Sequence, residues 1–255
     1  MCYDLIPLTH PEYVDGLNIV GFAKSLKRAL DNADLILTIS DFTKNELRRL
    51  YPESTVPMQT VWLGSDLAAT QNVNAIHAST RKPNSILVLG TVEPRKNHSL
   101  ILDWFESPDA DAYSLTIVGK PGWATDHVQR RMNILQQDNK RFIWYENATD
   151  SELAKLLQEH EIGVQASFVE GFGLPIWEMA HNGMILVVSD IPVFREISPP
   201  EAHFFDPNSI RAFSGALAQA TNKDQAAANT SVLHGSFFQS WDDYSTKVAK
   251  AIRAL

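Results

Sequence analysis

Apolar runs alternate with amphipathic stretches along most of this chain. SILVLGT (85–91), SLTIVGK (114–120) and IGVQASF (162–168) are apolar at most positions, and amphipathic stretches lie between them. A strand buried on both faces is apolar almost throughout, whereas an amphipathic helix repeats its apolar positions every three to four residues. The pattern therefore predicts an α/β fold in which helices cover both faces of a parallel sheet.

The other elements of this later part follow from the same pattern. Further strands are predicted at RFIWYEN (141–147), MILVVSD (184–190) and HFFD (203–206). Helices are predicted at 97–105, at 125–139, at 150–160, from Pro175 to near Gly183, near Phe194, at 208–220 and around Trp241.

The first part of the chain alternates less regularly. YDLIPLTHP (3–11) is interpreted as the end of a strand that runs into a loop. After it, the pattern predicts a helix at 13–31, a strand at 34–40, a helix at 41–50 and a strand ending at Gly64. The polar stretch 68–84 has no clear period and predicts a linker. The predicted units are therefore 1–67, the linker 68–84, a domain at 85–235 and a C-terminal helix within 236–255.

Capping residues are predicted for two helices. Ser40 or Asp41 is expected to cap the helix 41–50, because an oxygen in its side chain can accept a hydrogen bond from a free backbone N–H. In DSELAKLLQEH (150–160), Asp150 or Ser151 is expected to act in the same way.

Three strand-to-helix loops carry unusual residues: TVEPRKN (91–97), GKPGW (119–123) and FVEGFG (168–173). In open parallel sheets, ligands bind beyond the carboxyl ends of the strands, where such loops lie. We therefore expect these loops to meet at one edge of the sheet and to form the functional site.

Arg95 and Lys96 carry the first candidate chemistry. A guanidinium and an ammonium group near backbone N–H donors suit a diphosphate, because both cations can contact one anion. The alternative is a solvated helix start at which Glu93 pairs with them. Cations at a helix N-terminus oppose its dipole, and this unfavourable position favours an anionic ligand.

Glu170 and Glu178 enclose a Gly-Phe-Gly turn and Pro175 in EGFGLPIWE. A carboxylate at the mouth of the sheet can accept hydrogen bonds from the vicinal hydroxyls of a sugar or ribose. The free N–H groups of the helix that begins near Pro175 attract anions. For both acids the alternative is an ordinary role at a helix start.

Composition and charge exclude several functions. The net charge of −8 and the pI near 5.4 argue against a broad surface for nucleic acid or anionic lipid. The single cysteine, Cys2, rules out an intrachain disulfide. The chain lacks the residue spacing of a zinc site or a P-loop, and DAD (109–111) is expected to be a solvated turn rather than a metal site. The first residues lack the pattern of a secretion signal and no apolar run reaches about 18 residues, so we expect a cytoplasmic protein.

Five motifs occur in one order: GTVEPRKN, GKPGW, ATDSELAKLL, FVEGFGLPIWEMAHNG and SDIPVFREI. In this order, residues 84–220 resemble the donor-binding domain of the retaining glycosyltransferases of family four, which have two facing Rossmann-like domains (the GT-B fold). Two glutamates separated by seven residues mark that family, and here they are Glu170 and Glu178. YDLIPL, ADLILTIS and VWLGSD resemble the stretch that crosses from the acceptor domain to the donor domain. The terminal FFQSWDDYSTKVAKAI is similar to a last helix that folds back toward the first domain.

The resemblance implies a role for each candidate residue. Arg95 and Lys96 would neutralise the diphosphate of a nucleotide-sugar donor. Glu170 would contact the transferred sugar, and Glu178 would hold the ribose. The remaining donor-binding positions would be Gly90, Thr91, Gly171, Phe172, Gly173 and Leu174. The resemblance implies retention of anomeric configuration and no metal or other cofactor, because preorganised charge stabilises the leaving diphosphate.

The implied reaction transfers a hexose from the donor to a glycan or lipid-linked glycan. GDP-mannose is the first expectation, because YDLIPL and GTVEPRKN look most like bacterial surface-polysaccharide mannosyltransferases; UDP-glucose, UDP-N-acetylglucosamine and rhamnose donors are alternatives. The acceptor would bring at most a peripheral contact with the inner face of the membrane. Nucleic acid is not an expected partner.

Two departures from the family leave alternatives open. Many members carry arginine where this chain has Thr91. Members are also usually longer than this chain, so we expect that the acceptor domain is largely missing. The chain is then a transferase that acts alone or as a homo-oligomer, half of an enzyme that needs a separate acceptor-domain chain, or a nucleotide-sugar-binding module without transfer. An epimerase or a phosphorylase on the same scaffold is a more distant alternative.

Overall fold

The computed structural model describes residues 1–14, 16, 19–65, 81–222 and 238–255. Its strands are β1 (Ile36–Thr38), β2 (Met58–Thr60), β3 (Lys82–Leu89), β4 (Ser114–Val118), β5 (Phe142–Tyr145), β6 (His160–Gln165), β7 (Ile185–Ser189) and β8 (His203–Phe205). Its α-helices are α1 (Ile6–Thr9), α2 (Ile19–Asn32), α3 (Asp41–Leu50), α4 (His98–Phe105), α5 (Asp126–Asp138), α6 (Asp150–Glu159), α7 (Leu174–His181), α8 (Pro192–Ile197), α9 (Ile210–Ala220) and α10 (Trp241–Arg253).

Six strands form a parallel sheet in the order β5-β4-β3-β6-β7-β8. Successive side chains of β3 enter different cores, because side chains alternate between the faces of a strand. Ile86 and Val88 belong to a core cluster that includes residues of α4, α5 and α9. Leu87 and Leu89 belong to a second cluster with residues of α6, α7 and α8. The predicted α/β fold, a parallel sheet covered on both faces, is confirmed.

Strand β3 begins at Lys82, three residues before the predicted start, so residues 82–84 of the predicted linker extend the sheet. The linker residues 68–80 lie outside the described residues, and so do residues 223–237, where the predicted main domain ends.

A smaller unit precedes the main sheet. Strands β1 and β2 pair in parallel, and Cys2 forms an isolated parallel bridge to Thr38. Helix α10 packs against this unit, because Ala251 lies in one cluster with Leu37 and Val61. The C-terminal helix and the first part of the chain are therefore in contact.

The stretch YDLIPLTHP does not run from a strand into a loop, as predicted, but forms the short helix α1. Asp4 Oδ1 accepts a hydrogen bond from the backbone N–H of Ile6 at 3.0 Å, and Pro7 lies in the first turn. A side-chain acceptor before the turn and a proline within it both favour a helix start. These local signals explain the difference.

One of the two capping predictions is confirmed and the other is wrong. Ser40 caps α3, because its Oγ accepts from the backbone N–H of Thr43 at 3.1 Å. Helix α6 is capped by Thr149 rather than by Asp150 or Ser151. Thr149 forms a capping box with Glu152, and that box requires a spacing of three residues that neither predicted cap has.

Candidate functional site

The three predicted loops follow β3, β4 and β6, which are neighbours in the sheet. The Gly90 N–H donates to the Val118 carbonyl at 2.9 Å, and the Phe168 N–H donates to the Arg95 carbonyl at 2.9 Å. A Cβ atom on Gly119 would lie 1.9 Å from the Gly90 carbonyl oxygen, so this approach of two backbones requires glycine. The loops meet at the carboxyl edge of the sheet, as predicted.

Arg95, Lys96 and Glu170 form a cluster of ion pairs at this edge. Arg95 Nη1 lies 2.6 Å from Glu170 Oε2, and Lys96 Nζ lies 2.5 Å from Glu170 Oε1. Ser167 Oγ donates a hydrogen bond to Glu170 Oε1 at 3.0 Å. Arg95 Nε also lies 3.0 Å from Glu93 Oε2, so the local pairing considered in the sequence analysis coexists with the longer-range one. Glu170 is 7% exposed.

The backbone after β3 aims the two cations. Arg95 and Lys96 lie in a 3₁₀ turn (Pro94–Lys96) that ends at Asn97, whose φ of +55° is left-handed. Asn97 Nδ2 donates to the Pro207 carbonyl at 2.8 Å, which holds this conformation. A Cβ atom on Gly90 would lie 3.4 Å from Lys96 Cε, so the lysine stem runs beside Gly90 and Thr91.

The charges of this cluster decide the ionisation of Glu170. Burial acts to raise the pKa of Glu170, but the nearby cations Lys96 and Arg95 outweigh it and hold the pKa below its ordinary value of 4.5. A depressed carboxyl pKa stabilises the fold above the ordinary value, and this contribution is lost as pH falls through the folded pKa. Glu170 is therefore an ionised acceptor at neutral pH.

Glu178 lies in α7, close enough to Lys96 for their charges to interact. Burial raises the pKa of Glu178 above its ordinary value, and Lys96 opposes that shift. Lys96 thus interacts with both glutamates of the EGFGLPIWE stretch.

The loop between the two glutamates is fixed by contacts of its residues. Gly173 has a φ of +109°, and a Cβ there would lie 2.7 Å from Phe194 Cε1. The ring of Phe172 is buried and contacts Trp177 edge-to-face at 5.0 Å. Within the described chain, the backbone N–H groups of Gly171, Phe172, Gly173 and Leu174 donate to no protein oxygen. These four groups therefore have no acceptor within the described chain and can still donate a hydrogen bond.

Gly171 joins the loop at 168–173, called the donor loop here after the role that the sequence analysis expects of it, to the first part of the chain. Its carbonyl accepts a hydrogen bond from Ser40 Oγ at 2.8 Å, and a Cβ atom on it would lie 2.4 Å from the Tyr3 carbonyl oxygen. We expect Gly171→Ala to lower the free energy of unfolding by about 1–3 kcal/mol, because backbone must move to admit the methyl group. Urea unfolding measures this change.

Gly215→Ala is the matched control for that substitution. Gly215 lies in α9 with nothing within 4 Å of its added Cβ, so we expect alanine to stabilise the protein by about 0.5–1 kcal/mol. Equal effects of the two substitutions would show that Gly171 is not a tight junction.

Sequence reasoning missed several residues around the site. Asp4 interacts electrostatically with Arg95 and Glu170, and Ser40 holds the donor loop through Gly171. In the sequence, Asp4 comes just before a first turn that contains proline, and this position indicates a helix cap. It does not indicate the contact with a loop far along the chain.

No cluster of three or more His, Cys, Asp or Glu side chains that could hold a metal ion occurs in the described ranges. In DAD (109–111), Asp109 accepts a hydrogen bond from Ser214 Oγ at 2.7 Å, and Asp111 lies 3.7 Å from Arg141. Metal independence stays a prediction. Of the helices in the described ranges, none has both the length and the apolarity that a bilayer crossing requires.

The family model described as "Glycosyl transferases group 1" matches residues 70–231. The chain is 33% identical to the serotype-specific mannosyltransferase WbdA of Escherichia coli over 80% of this chain, and this match spans only 27% of WbdA. It is 28% identical to the O-antigen chain mannosyltransferase B of Escherichia coli, over 99% of this chain and 69% of that protein.

Solved structures give the fold independently. Anabaena HepE, crystallised with UDP and glucose, superposes with a TM-score of 0.78 at 14% identity, covering 99% of this chain and 71% of HepE. Sucrose-phosphate synthase from Thermosynechococcus elongatus gives a TM-score of 0.73 at 18% identity, covering 97% and 63% of the two chains. At such identities the likeness concerns the fold alone, and it agrees with the parallel sheet described above.

Proposed function

Because the chain belongs to the group 1 glycosyltransferases, we propose that it binds a nucleotide-diphosphate sugar at the carboxyl edge of the main sheet and transfers the hexose to a glycan. The observation that carries this proposal is the buried cluster in which Glu170 pairs with both Arg95 and Lys96. The two positive charges of Arg95 and Lys96 match the two negative charges of a diphosphate. Glu170, which holds both cations, would then lie beside the sugar.

Arg95 and Lys96 would bind the diphosphate and stabilise the charge that develops on it. In the free protein Glu170 compensates both cations, so they stay in place without a ligand, and such preorganised charge is a large source of catalysis. The free N–H groups from Gly171 to Leu174 supply further donors. We propose that these groups make a metal unnecessary.

The two glutamates would hold the hydroxyl-bearing parts of the donor. Glu170 is ionised and lies beside the cations, which suits hydrogen bonds from hydroxyls of the transferred hexose. Glu178 would accept from the ribose hydroxyls. One short loop therefore contacts the sugar, the phosphates and the ribose.

In the proposed reaction, the bond between the anomeric carbon and the diphosphate oxygen breaks, and its electron pair leaves with the diphosphate. An acceptor hydroxyl oxygen bonds to the anomeric carbon on the same face, so the configuration is retained. The hydroxyl proton passes to the departing phosphate oxygen, which balances the charge. Arg95 and Lys96 stabilise the product diphosphate.

We propose GDP-mannose as the donor and a surface glycan, carried by a lipid, as the acceptor. The names of the two Escherichia coli relatives, both mannosyltransferases and one acting on O-antigen chains, support this choice. Nucleotide sugars and lipid-linked glycans meet at the cytoplasmic face of the membrane, so we place the reaction there.

A thermal-shift panel of nucleotide sugars tests the donor proposal. A ligand present at 100 times its dissociation constant stabilises the folded state by about 2.7 kcal/mol, which for a chain of this size raises Tm by roughly 5–10 °C. We expect this shift with GDP-mannose and GDP, and no shift with mannose alone. If neither the guanosine nor the uridine compounds raise Tm at millimolar concentration, the proposed function is wrong.

A further inference from the structure

We propose that Asp4 binds a hydroxyl group of the transferred hexose, from the wall of the site that faces Glu170. The proposal rests on the function proposed above and adds a residue from the first part of the chain to the sugar-binding machinery. Asp4 lies 166 residues before Glu170 in the sequence.

Asp4 packs against the donor loop. A Cβ atom on Gly171 would lie 2.9 Å from the Asp4 Cβ and 2.4 Å from the Tyr3 carbonyl oxygen, so this approach to the Tyr3 backbone requires glycine. Asp4 and Glu170 also line the same small cavity, together with Thr9, Thr43 and Glu46 among others. Asp4 and Glu170, from distant parts of the chain, thus border one space.

The charge of Asp4 has no evident structural purpose. Its Oδ1 accepts the hydrogen bond from Ile6, which favours the ionised form, although a neutral asparagine oxygen can also accept this bond. Among the described residues, no group donates a hydrogen bond to Oδ2. Burial raises the pKa of Asp4; the hydrogen bond from Ile6 and the charge of Arg95 oppose this shift, and Glu170 reinforces it, so the ionised form still costs stability at neutral pH. A carboxylate kept at such a cost, with a free oxygen beside the site, indicates a ligand.

The size of the cavity identifies which part of the ligand enters. The cavity that Asp4 and Glu170 line has room for about one water-sized group, so a hydroxyl is the largest part of a ligand that it can accept. A hexose carries hydroxyls on adjacent carbons, so one can donate to Glu170 while its neighbour donates to Asp4. The diphosphate and the nucleoside would not contact Asp4.

The substitution Asp4→Asn tests whether Asp4 contacts the hexose or the nucleoside diphosphate of the donor. We expect the variant to bind GDP-mannose about tenfold or more weakly, because it loses a hydrogen bond to a charged group, and to bind GDP within about twofold of wild type. Isothermal calorimetry with GDP-mannose and with GDP measures this difference. If the thermal-shift panel selects a uridine donor instead, UDP-glucose and UDP are used. The Tm of the variant at neutral pH should equal or exceed that of wild type.

Glu46→Gln is the matched control, because Glu46 lines the same cavity but its carboxylate pairs with Arg49 on α3. We expect it to bind both compounds like wild type. Equal losses for GDP-mannose and GDP in Asp4→Asn, or no loss for either, would overturn the role of Asp4 while leaving the proposed function intact. A wild-type chain that binds no nucleotide or nucleotide sugar instead refutes both proposals.

Discussion

Glu170→Gln should lower hexose transfer by at least about a hundredfold, while the affinity for the nucleoside diphosphate stays the same or rises. Glutamine has nearly the same shape but lacks the charge that holds Arg95 and Lys96 in place and that accepts strong hydrogen bonds from the hexose. The two cations lose a competitor for the diphosphate, so GDP should bind at least as well. Transfer of radiolabelled mannose from GDP-mannose to a cell-envelope extract, with calorimetry of GDP, measures both quantities.

Glu93→Gln is the matched control for this substitution. Glu93 also contacts Arg95, at 3.0 Å, but its side chain is more exposed and does not contact Lys96. We expect transfer to stay within about threefold of wild type, because a partly exposed ion pair contributes less than about 1 kcal/mol. Undiminished transfer by the Glu170 variant, or the same loss in both variants, would refute the assigned role of Glu170.

The main sheet is readable from the sequence because each strand is short, apolar and followed by a separate amphipathic stretch. Ile86 to Leu89 fill both cores in alternation, and such a run has no plausible place other than a central strand. Element ends were less predictable. Thr149, not Asp150, caps α6, and here the signal was present in the sequence, because Thr149 and Glu152 have the three-residue spacing of a capping box.

Part of the candidate site could likewise be predicted from the sequence, and part could not. Loops after neighbouring parallel strands must meet, so the approach of Arg95 and Lys96 to Glu170 follows from topology once the strands are assigned. The contacts of Asp4 and Ser40 with the donor loop do not follow, since they depend on how the smaller unit packs against the main sheet. Packing between units is set by complementary surfaces that no local pattern encodes.

The proposed diphosphate site must also be stable when no ligand is bound. Two adjacent cations repel each other and would be costly to bury when the ligand is absent. Glu170 pairs with both cations in the free protein, Glu93 supplies a second negative charge beside Arg95, and Ser167 donates a further hydrogen bond to Glu170. In the proposed complex the same carboxylate would also accept hydrogen bonds from the sugar hydroxyls, so Glu170 would both stabilise the empty site and bind the ligand.

If the proposed function is right, Lys96→Met should weaken GDP binding by about 2–5 kcal/mol, because it removes a buried charge that would contact the diphosphate. It should also lower the free energy of unfolding by about 3 kcal/mol at neutral pH, since the buried carboxylate of Glu170 loses its closest cation. Without Lys96 the pKa values of Glu170 and Glu178 both rise, so the folded variant binds more protons than wild type. The loss of stability should therefore be larger at pH 8 than at pH 5. Calorimetry and urea unfolding at both pH values measure these effects.

Lys82→Met separates this mechanism from the general loss of a lysine. Lys82 pairs with Glu159 at 2.7 Å, but its side chain is 64% exposed, so we expect a change of stability within about 0.5 kcal/mol at either pH. GDP affinity should not change in this control. If Lys96→Met bound GDP as tightly as wild type, its charge would not contact the diphosphate. If its loss of stability were the same at pH 5 and pH 8, the coupling of Lys96 to the two buried glutamates would be wrong even with GDP binding impaired.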